Sequence, residues 1–392
     1  MGAGFVIGRV IHATGECGAT LDRSARRARG PWAAHRSRAP RRSVRRPGPL
    51  VTIGHSDCVE RQCPPAYRTG WGRRSVPGER GNVGSVRVDR QHTISRPAVC
   101  AGVGVHLGAR ARMTVRPAPV DAGIVFVRAD ETARENRIPA NAGLVGATNL
   151  GTTLRNAAGV EIATTEHFLA ACAGLEIDNL IVEVDGPELP ILDGSSAPFV
   201  QLLMNAGLKA QGAARQRLEI LSPVAVSIGA KTARLEPADR AEFDVTIRYA
   251  DAPIGVQQLR YYPSRAAFLD EIAGARTYGF LKDVEQLHAA GRGLGASYEN
   301  TVVIDGGRVV NGEGLRFADE FVRHKILDAI GDLALAGGPI LGRYVADQPG
   351  HALNALLIRT LFETPRAWRW TEAREAALTG SGLSAPSLAA AG

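Results

Sequence analysis

His324 and Asp328 lie four residues apart, in the run Phe321-Val322-Arg323-His324-Lys325-Ile326-Leu327-Asp328-Ala329-Ile330-Gly331-Asp332. On a helix that spacing puts both side chains on one face, about one turn apart. His167, preceded by Glu166, offers a second imidazole from elsewhere in the chain. Two His and one Asp with an open fourth position make a zinc site of the catalytic type. Glu166 then suits a base acting on a water held at that open position. Adjacent side chains do not share a helix face, so Glu166 does not ligate the same metal as His167. The two segments together read as a hydrolytic zinc centre split across the chain. Each half alone also fits a plainer role: a His/Asp pair on a solvated helix face, or a structural His at a helix start.

Further residues extend the set. Asp332 continues the stripe at i+8 from His324, while Lys325 points about 100° away and suits contact with substrate charge. His351, in Gly350-His351-Ala352-Leu353-Asn354, starts another helix after Pro349. A protonated His there suits general acid catalysis, with Asp332 as a candidate carboxylate partner; a capping or backbone contact is the alternative. No dinucleotide-binding or Walker glycine pattern occurs, no His-Glu-x-x-His and no Gly-x-Ser-x-Gly, which removes the nucleotide-loop, zincin and nucleophile-elbow readings.

Alternation predicts strands at 88–95, 111–115, 123–127, 179–184, 217–220, 224–228, 233–237 and 243–249, and a hairpin joining 302–304 to 308–310 through Asp305-Gly306-Gly307. Helices are predicted at 163–174, 196–205, 264–273, 321–335 and 351–362, with Thr164 or Thr165 capping the first and Gly174 ending it. Each half thus runs strands, helix, strand, helix. That order predicts an α+β fold of two similar sheet-and-helix layers, residues 87–213 and 214–370, packed with the site at their junction.

The formal charge of +8 is misleading. Residues 1–86 hold 16 Arg against five acidic residues, which makes that segment +11 and leaves the remainder at −3. The body therefore has no electrostatic footprint for nucleic acid. The Arg-, Gly- and Pro-rich segment 1–86 reads as a disordered extension: a targeting peptide, a basic arm, or a stretch upstream of the true start. The Ala- and Ser-rich residues 371–392 read as a frayed tail. Five Cys at irregular spacing give no disulfide framework, and a reducing, cytoplasmic setting fits them. No run of about 18 apolar residues is present, so membrane association, if any, is peripheral; a monomer is expected.

The run around His324 resembles the UDP-3-O-acyl-N-acetylglucosamine deacetylases, the LpxC family. So do Thr165-Glu166-His167, Ile177-Asp178-Asn179, Asp193-Gly194-Ser195-Ser196-Ala197-Pro198-Phe199, Ala275-Arg276-Thr277-Tyr278-Gly279-Phe280 and Gly350-His351-Ala352-Leu353-Asn354. The resemblance spans about 88 to 385. It implies two domains and zinc-dependent removal of acetate from the 2-amino group of a UDP-3-O-(3-hydroxyacyl)-N-acetylglucosamine, the committed step of lipid A synthesis. It further implies His167, His324 and Asp328 as zinc ligands and Glu166 as base. His351 becomes the acid or electrostatic partner, oriented by Asp332. Thr277 becomes an oxyanion donor and Lys325 a contact to the hexosamine or diphosphate. An insert at about 280–312 in the second domain would line a passage for the acyl chain, with Phe280, Leu281, Val284, Tyr298 and Val303 in the matching stretch. Tyr278 stands where the pattern has Phe, keeping an aromatic face for stacking on substrate, and Ala101 where it has Thr. The 86-residue extension is absent from the pattern.

Two other classes compete: a basic-armed nucleic-acid binder on the same scaffold, and a zinc amidohydrolase acting on another N-acetylated sugar.

Overall fold

The computed structural model describes residues 11–12, 89–249 and 253–371. Apart from Ile11 and His12, the extension read at 1–86 lies outside the described residues, as does the tail beyond Thr371.

The chain folds as mixed α+β around two larger sheets. The first, in spatial order, holds Ala98–Val103, Arg110–Pro117, Leu180–Val184, Ile124–Arg128 and Arg137–Pro139. Ile124–Arg128 and Leu180–Val184 run parallel; the other neighbours are antiparallel. The second holds Val224–Ile228, Lys231–Glu236, Arg343–Asp347, Glu242–Tyr249 and Gly255–Tyr261, with a two-residue strand Ile11–His12 at its edge. Here too the third and fourth of these strands are parallel and the rest antiparallel. That edge strand aside, the two sheets share one strand order and one set of directions.

Parallel neighbours need a crossover connection. In the first sheet the crossover carries helix α1 (Glu166–Gly174), and Ala197–Ala206 (α2) follows the last strand. In the second it carries α3 (Arg265–Ala267), α4 (Val284–Ala289) and α5 (Glu320–Ala334), and α6 (His351–Phe362) follows. Both crossover helices bear ligand candidates, and α1 and α5 pack directly on each other. α1 is buried from Glu166 through Cys172, and α5 along most of its length. These helices are therefore core, not surface, and one continuous apolar core reaches both sheets.

Close backbone approach fixes the crossing. A Cβ on Gly331 would stand 2.0 Å from the Glu166 carbonyl oxygen. At the other end of α1, a Cβ on Gly174 would lie 2.1 Å from the Phe268 ring. Gly174 is the last helical residue, as expected, with Leu175 at the C-cap position, and its missing side chain is also what admits the Phe268 ring.

Most predicted elements are present within a residue or two. The helix expected at 264–273 is instead one short turn, Arg265–Ala267, running into a π-type turn at Phe268–Ile272. The 302–310 hairpin belongs to a small three-stranded sheet in which Tyr278–Phe280 pairs in parallel with Val302–Ile304. Its crossover contains α4, so the segment read as an insert is a compact β-α-β unit. Among the described residues no helix is long and apolar enough to cross a membrane.

Candidate active site

Residues just before α1 set the first half of the site. Thr164 has φ near 60°, an uncommon conformation for a β-branched residue. Thr165 occupies the N-cap position without a side-chain cap bond. The threonine hydroxyls reach sideways instead: Thr164 Oγ1 donates to Glu188 Oε1 at 3.0 Å and Thr165 Oγ1 to the Thr152 carbonyl at 3.2 Å. The expected cap is thus replaced by bonds that brace the chain before Glu166 and His167.

His167, His324 and Asp328 are all buried, and one ligand atom from each lies within 4.8 Å of the others. Asp328 Oδ1 stands 3.5 Å from His167 Nε2 and 3.3 Å from His324 Nε2. The imidazole rings meet edge to face at 4.9 Å. His324 Nδ1 faces the Ala275 carbonyl at 3.1 Å; that carbonyl can only accept, so Nδ1 carries the proton and Nε2 presents its lone pair. Asp328 Oδ1 is buried without a hydrogen-bond partner. A buried acceptor facing two imidazole nitrogens is costly unless a cation joins them, and two N and one O donors suit zinc.

Electrostatics agree. Burial, with His167 and Lys325 nearby, pushes His324 down to about 3, the neutral form that a metal ligand needs. Burial alone would raise Asp328, but the neighbouring His324, Lys325 and His167 outweigh it and hold the carboxyl well below its ordinary range.

Glu166 is 3% exposed, and burial pushes its carboxyl above the ordinary range against the pull of His351 and His167. Its Oε2 accepts the Thr152 N–H at 2.9 Å, and its Oε1 lies 3.8 Å from His351 Nε2. His351 Nδ1 donates to Asp332 Oδ2 at 2.9 Å. Burial would lower His351, yet Asp332 and Glu166 overcome it and raise it to about 10. Asp332 also accepts from Asn354 Nδ2 at 2.8 Å and Thr152 Oγ1 at 2.6 Å, while Asn354 Oδ1 accepts from Tyr344 at 2.6 Å. A buried carboxyl and an imidazole thus flank the His167–His324–Asp328 group.

The other predicted residues are placed less uniformly. Thr277 is half-buried, two residues beyond the carbonyl that holds His324; its N–H bonds the Gly194 carbonyl at 2.8 Å. Lys325 Nζ pairs with Asp328 Oδ2 at 2.6 Å and stands 5.5 Å above the Tyr278 ring. Tyr278 also meets the rings of Phe321 and His324 edge-on and bonds Tyr249 through its hydroxyl at 2.9 Å. Its ring is thus contacted by Phe321, His324 and Lys325. Phe280 lines a cavity of about 130 Å³ with Lys282, Ile304, Asp305, Gly306 and Gly307. Leu281, Val284, Tyr298 and Val303 are not among its walls, and Leu281 and Tyr298 are exposed. A second cavity, about 290 Å³, is lined by Leu169, Cys172, Phe268, Ile330 and Leu333 among others; none of Glu166, His167, His324, Asp328 or His351 is among its walls.

Sequence reasoning did not single out Thr152, and it quoted Asn354 without a role. Asn354 had a signal, three residues after His351 on the same helix face; Thr152 had none.

The family model described as UDP-3-O-acyl N-acetylglycosamine deacetylase, LpxC, matches residues 91–363. The chain belongs to this family. Relatives named UDP-3-O-acyl-N-acetylglucosamine deacetylase include one from Phenylobacterium zucineum (strain HLK1), 52% identical over 71% of this chain and 95% of its own length. Another, from Myxococcus xanthus (strain DK1622), is 47% identical over 77% of this chain and 95% of its own. One from Shewanella frigidimarina (strain NCIMB 400) is 46% identical over 71% and 91%. The family match covers both crossover helices and α6, so every residue of the cluster falls inside it.

Proposed function

We infer that this protein is a metal-dependent amidase that deacetylates UDP-3-O-(3-hydroxyacyl)-N-acetylglucosamine, releasing acetate and the free 2-amine, the committed step of lipid A synthesis. The observation that carries the reading is the convergence of His167, His324 and Asp328 beside Glu166 and His351, in a chain of the LpxC family. Zinc held by the three ligands would supply Lewis acidity at the scissile amide and acidify a bound water.

The remaining steps belong to side chains. Glu166, with Oε2 tied to Thr152 and Oε1 turned toward His351, accepts the proton of the attacking water. A raised carboxyl suits a base near neutral pH. His351, kept protonated by Asp332, gives its proton to the leaving nitrogen. The Thr277 hydroxyl is the proposed donor to the carbonyl oxygen as charge builds there. Lys325, already paired with Asp328, holds a cation where substrate enters. Phe280, with Leu281, Val284, Tyr298 and Val303, is the apolar stretch we assign to the acyl chain. The shared strand order of the two sheets supports reading 87–213 and 214–370 as two copies of one layer, with ligands on the equivalent crossover helices.

The test is acetate release from the acylated UDP-sugar by the zinc-loaded protein, with the chelated protein as control. Turnover that is indifferent to chelation removes the metal mechanism. Equal turnover of UDP-N-acetylglucosamine lacking the 3-O-acyl group favours an amidohydrolase of another N-acetylated sugar.

A further inference from the structure

The sequence offers no reason to notice Thr152, yet in the fold it touches both halves of the acid–base machinery. It is 2% exposed. Its N–H donates to Glu166 Oε2 at 2.9 Å, and its hydroxyl to Asp332 Oδ1 at 2.6 Å. Its carbonyl accepts from both the N–H and the hydroxyl of Thr165, each at 3.2 Å. One residue thereby meets the start of α1 and the last turn of α5.

The residue is itself held firmly. Gly146 N–H bonds the Thr153 carbonyl at 2.8 Å and Thr153 N–H bonds the Ala147 carbonyl at 2.9 Å, closing the loop that presents it. Two residues on, the strand Leu154–Arg155 pairs with Glu161–Ile162. Just before it, Gly151 brings backbone close to the other Glu166 oxygen: a Cβ there would stand 3.1 Å from Oε1.

We propose that Thr152 is a positioning residue for the deacetylation, fixing the base Glu166 and the Asp332–His351 pair relative to one another. The division of labour follows from its donors. The N–H takes Oε2 of Glu166 and leaves Oε1 to face His351 and the reacting water. The hydroxyl takes Oδ1 of Asp332 and leaves Oδ2 for His351 and Asn354. With Oδ1 tied, the carboxylate cannot swing, and the imidazole that it holds keeps one orientation. Groups that orient a functional side chain typically matter 10–100-fold. The inference rests on the deacetylase reading for its kinetic arm only.

Thr152→Val removes the hydroxyl, keeps the shape and keeps the N–H to Glu166. With the zinc-loaded enzyme, kcat falls about 10–100-fold, KM and bound zinc stay unchanged, and Thr152→Ser restores most of the rate. In a His351→Gln background the same valine substitution costs far less, because the hydroxyl acts through His351. Independently of turnover, the Nδ1–H resonance of protonated His351 shifts or broadens in Thr152→Val and returns in Thr152→Ser. Thr152→Ala replaces valine in each arm if the valine protein does not fold. Wild-type kcat in the hydroxyl-less protein, an equal loss with and without His351, or an unmoved His351 resonance overturns the proposal. A wild-type protein that turns nothing over sinks the deacetylase reading instead, and the resonance still decides the role of Thr152.

Discussion

Nδ1 of His351 lies 2.9 Å from Oδ2 of Asp332, although the two residues sit on different helices and 19 positions apart. The carboxylate is held by three donors at once, from His351, Asn354 and Thr152. It is thus held in one orientation against the imidazole of His351.

His351 should therefore titrate far above an ordinary histidine in the metal-free protein, at about 10. Because its folded value lies above the unfolded one, its stabilising contribution is complete below about pH 6.5 and is lost as pH rises through about 10. Asp332→Asn should bring the titration down, flatten the loss of stability between those limits and slow turnover. NMR titration of His351 with melting curves across that window checks it; an unchanged midpoint in Asp332→Asn would separate the pair.

Glu166→Gln should keep the metal and lose the base. General-base groups contribute roughly 10²–10⁴-fold, so kcat should fall within that range at unchanged zinc content. Elemental analysis beside steady-state kinetics makes the measurement, and full turnover in the Gln protein would remove Glu166 from the proposed base role.

The proposed metal should behave as a clasp between α1 and α5, because its candidate ligands come from both helices. A ligand bound only by the folded form stabilises it by about 4 kcal/mol at a thousandfold excess over Kd. Chelation should accordingly lower Tm, and His324→Ala should lower it in the same way while making it insensitive to chelator. A Tm indifferent to zinc would place the ion elsewhere.

Gly331→Ala tests the helix crossing. Alanine favours a helix interior over glycine by about 1 kcal/mol. Here its Cβ would stand 2.0 Å from the Glu166 carbonyl oxygen, a backbone atom that cannot rotate away. Overpacking of this kind costs about 1–3 kcal/mol and displaces backbone, so the clash should win: lower stability and weaker zinc binding together. Titration with a chromophoric zinc indicator and a denaturant melt report both.

Much of this fold was legible because burial follows period. Arg110–Pro117 alternates with Ala111, Met113 and Val115 inward, and α5 was bounded within one residue. Gly255–Tyr261 was missed because an inward position carries Gln257, whose amide oxygen accepts the Val322 N–H at 3.2 Å. A tertiary bond hides the apolar rhythm there. Arg343–Asp347 is a central strand, yet its two ends are charged, which reads as a loop. The candidate ligand set was suggested by residue type and helical spacing, each half of which also fitted a plainer role, and it was the family resemblance that joined the halves. Thr152 was not, since both of its donors act across long sequence separations that no local pattern records.

The two histidines flanking Asp328 and Asp332 differ in how their protons are assigned. His351 takes its orientation from a side chain, Asp332, and a substitution can erase it. His324 takes its tautomer from a main-chain carbonyl, that of Ala275, which every amino acid supplies. A mutational scan would therefore find Asp332 sensitive to loss of its carboxylate and position 275, fully buried, sensitive only to side-chain size, though both perform the same service for an imidazole. The proton on His324 is written in the path of the backbone, and only a change that moves that path, such as an insertion or deletion near 275, would make it visible to genetics.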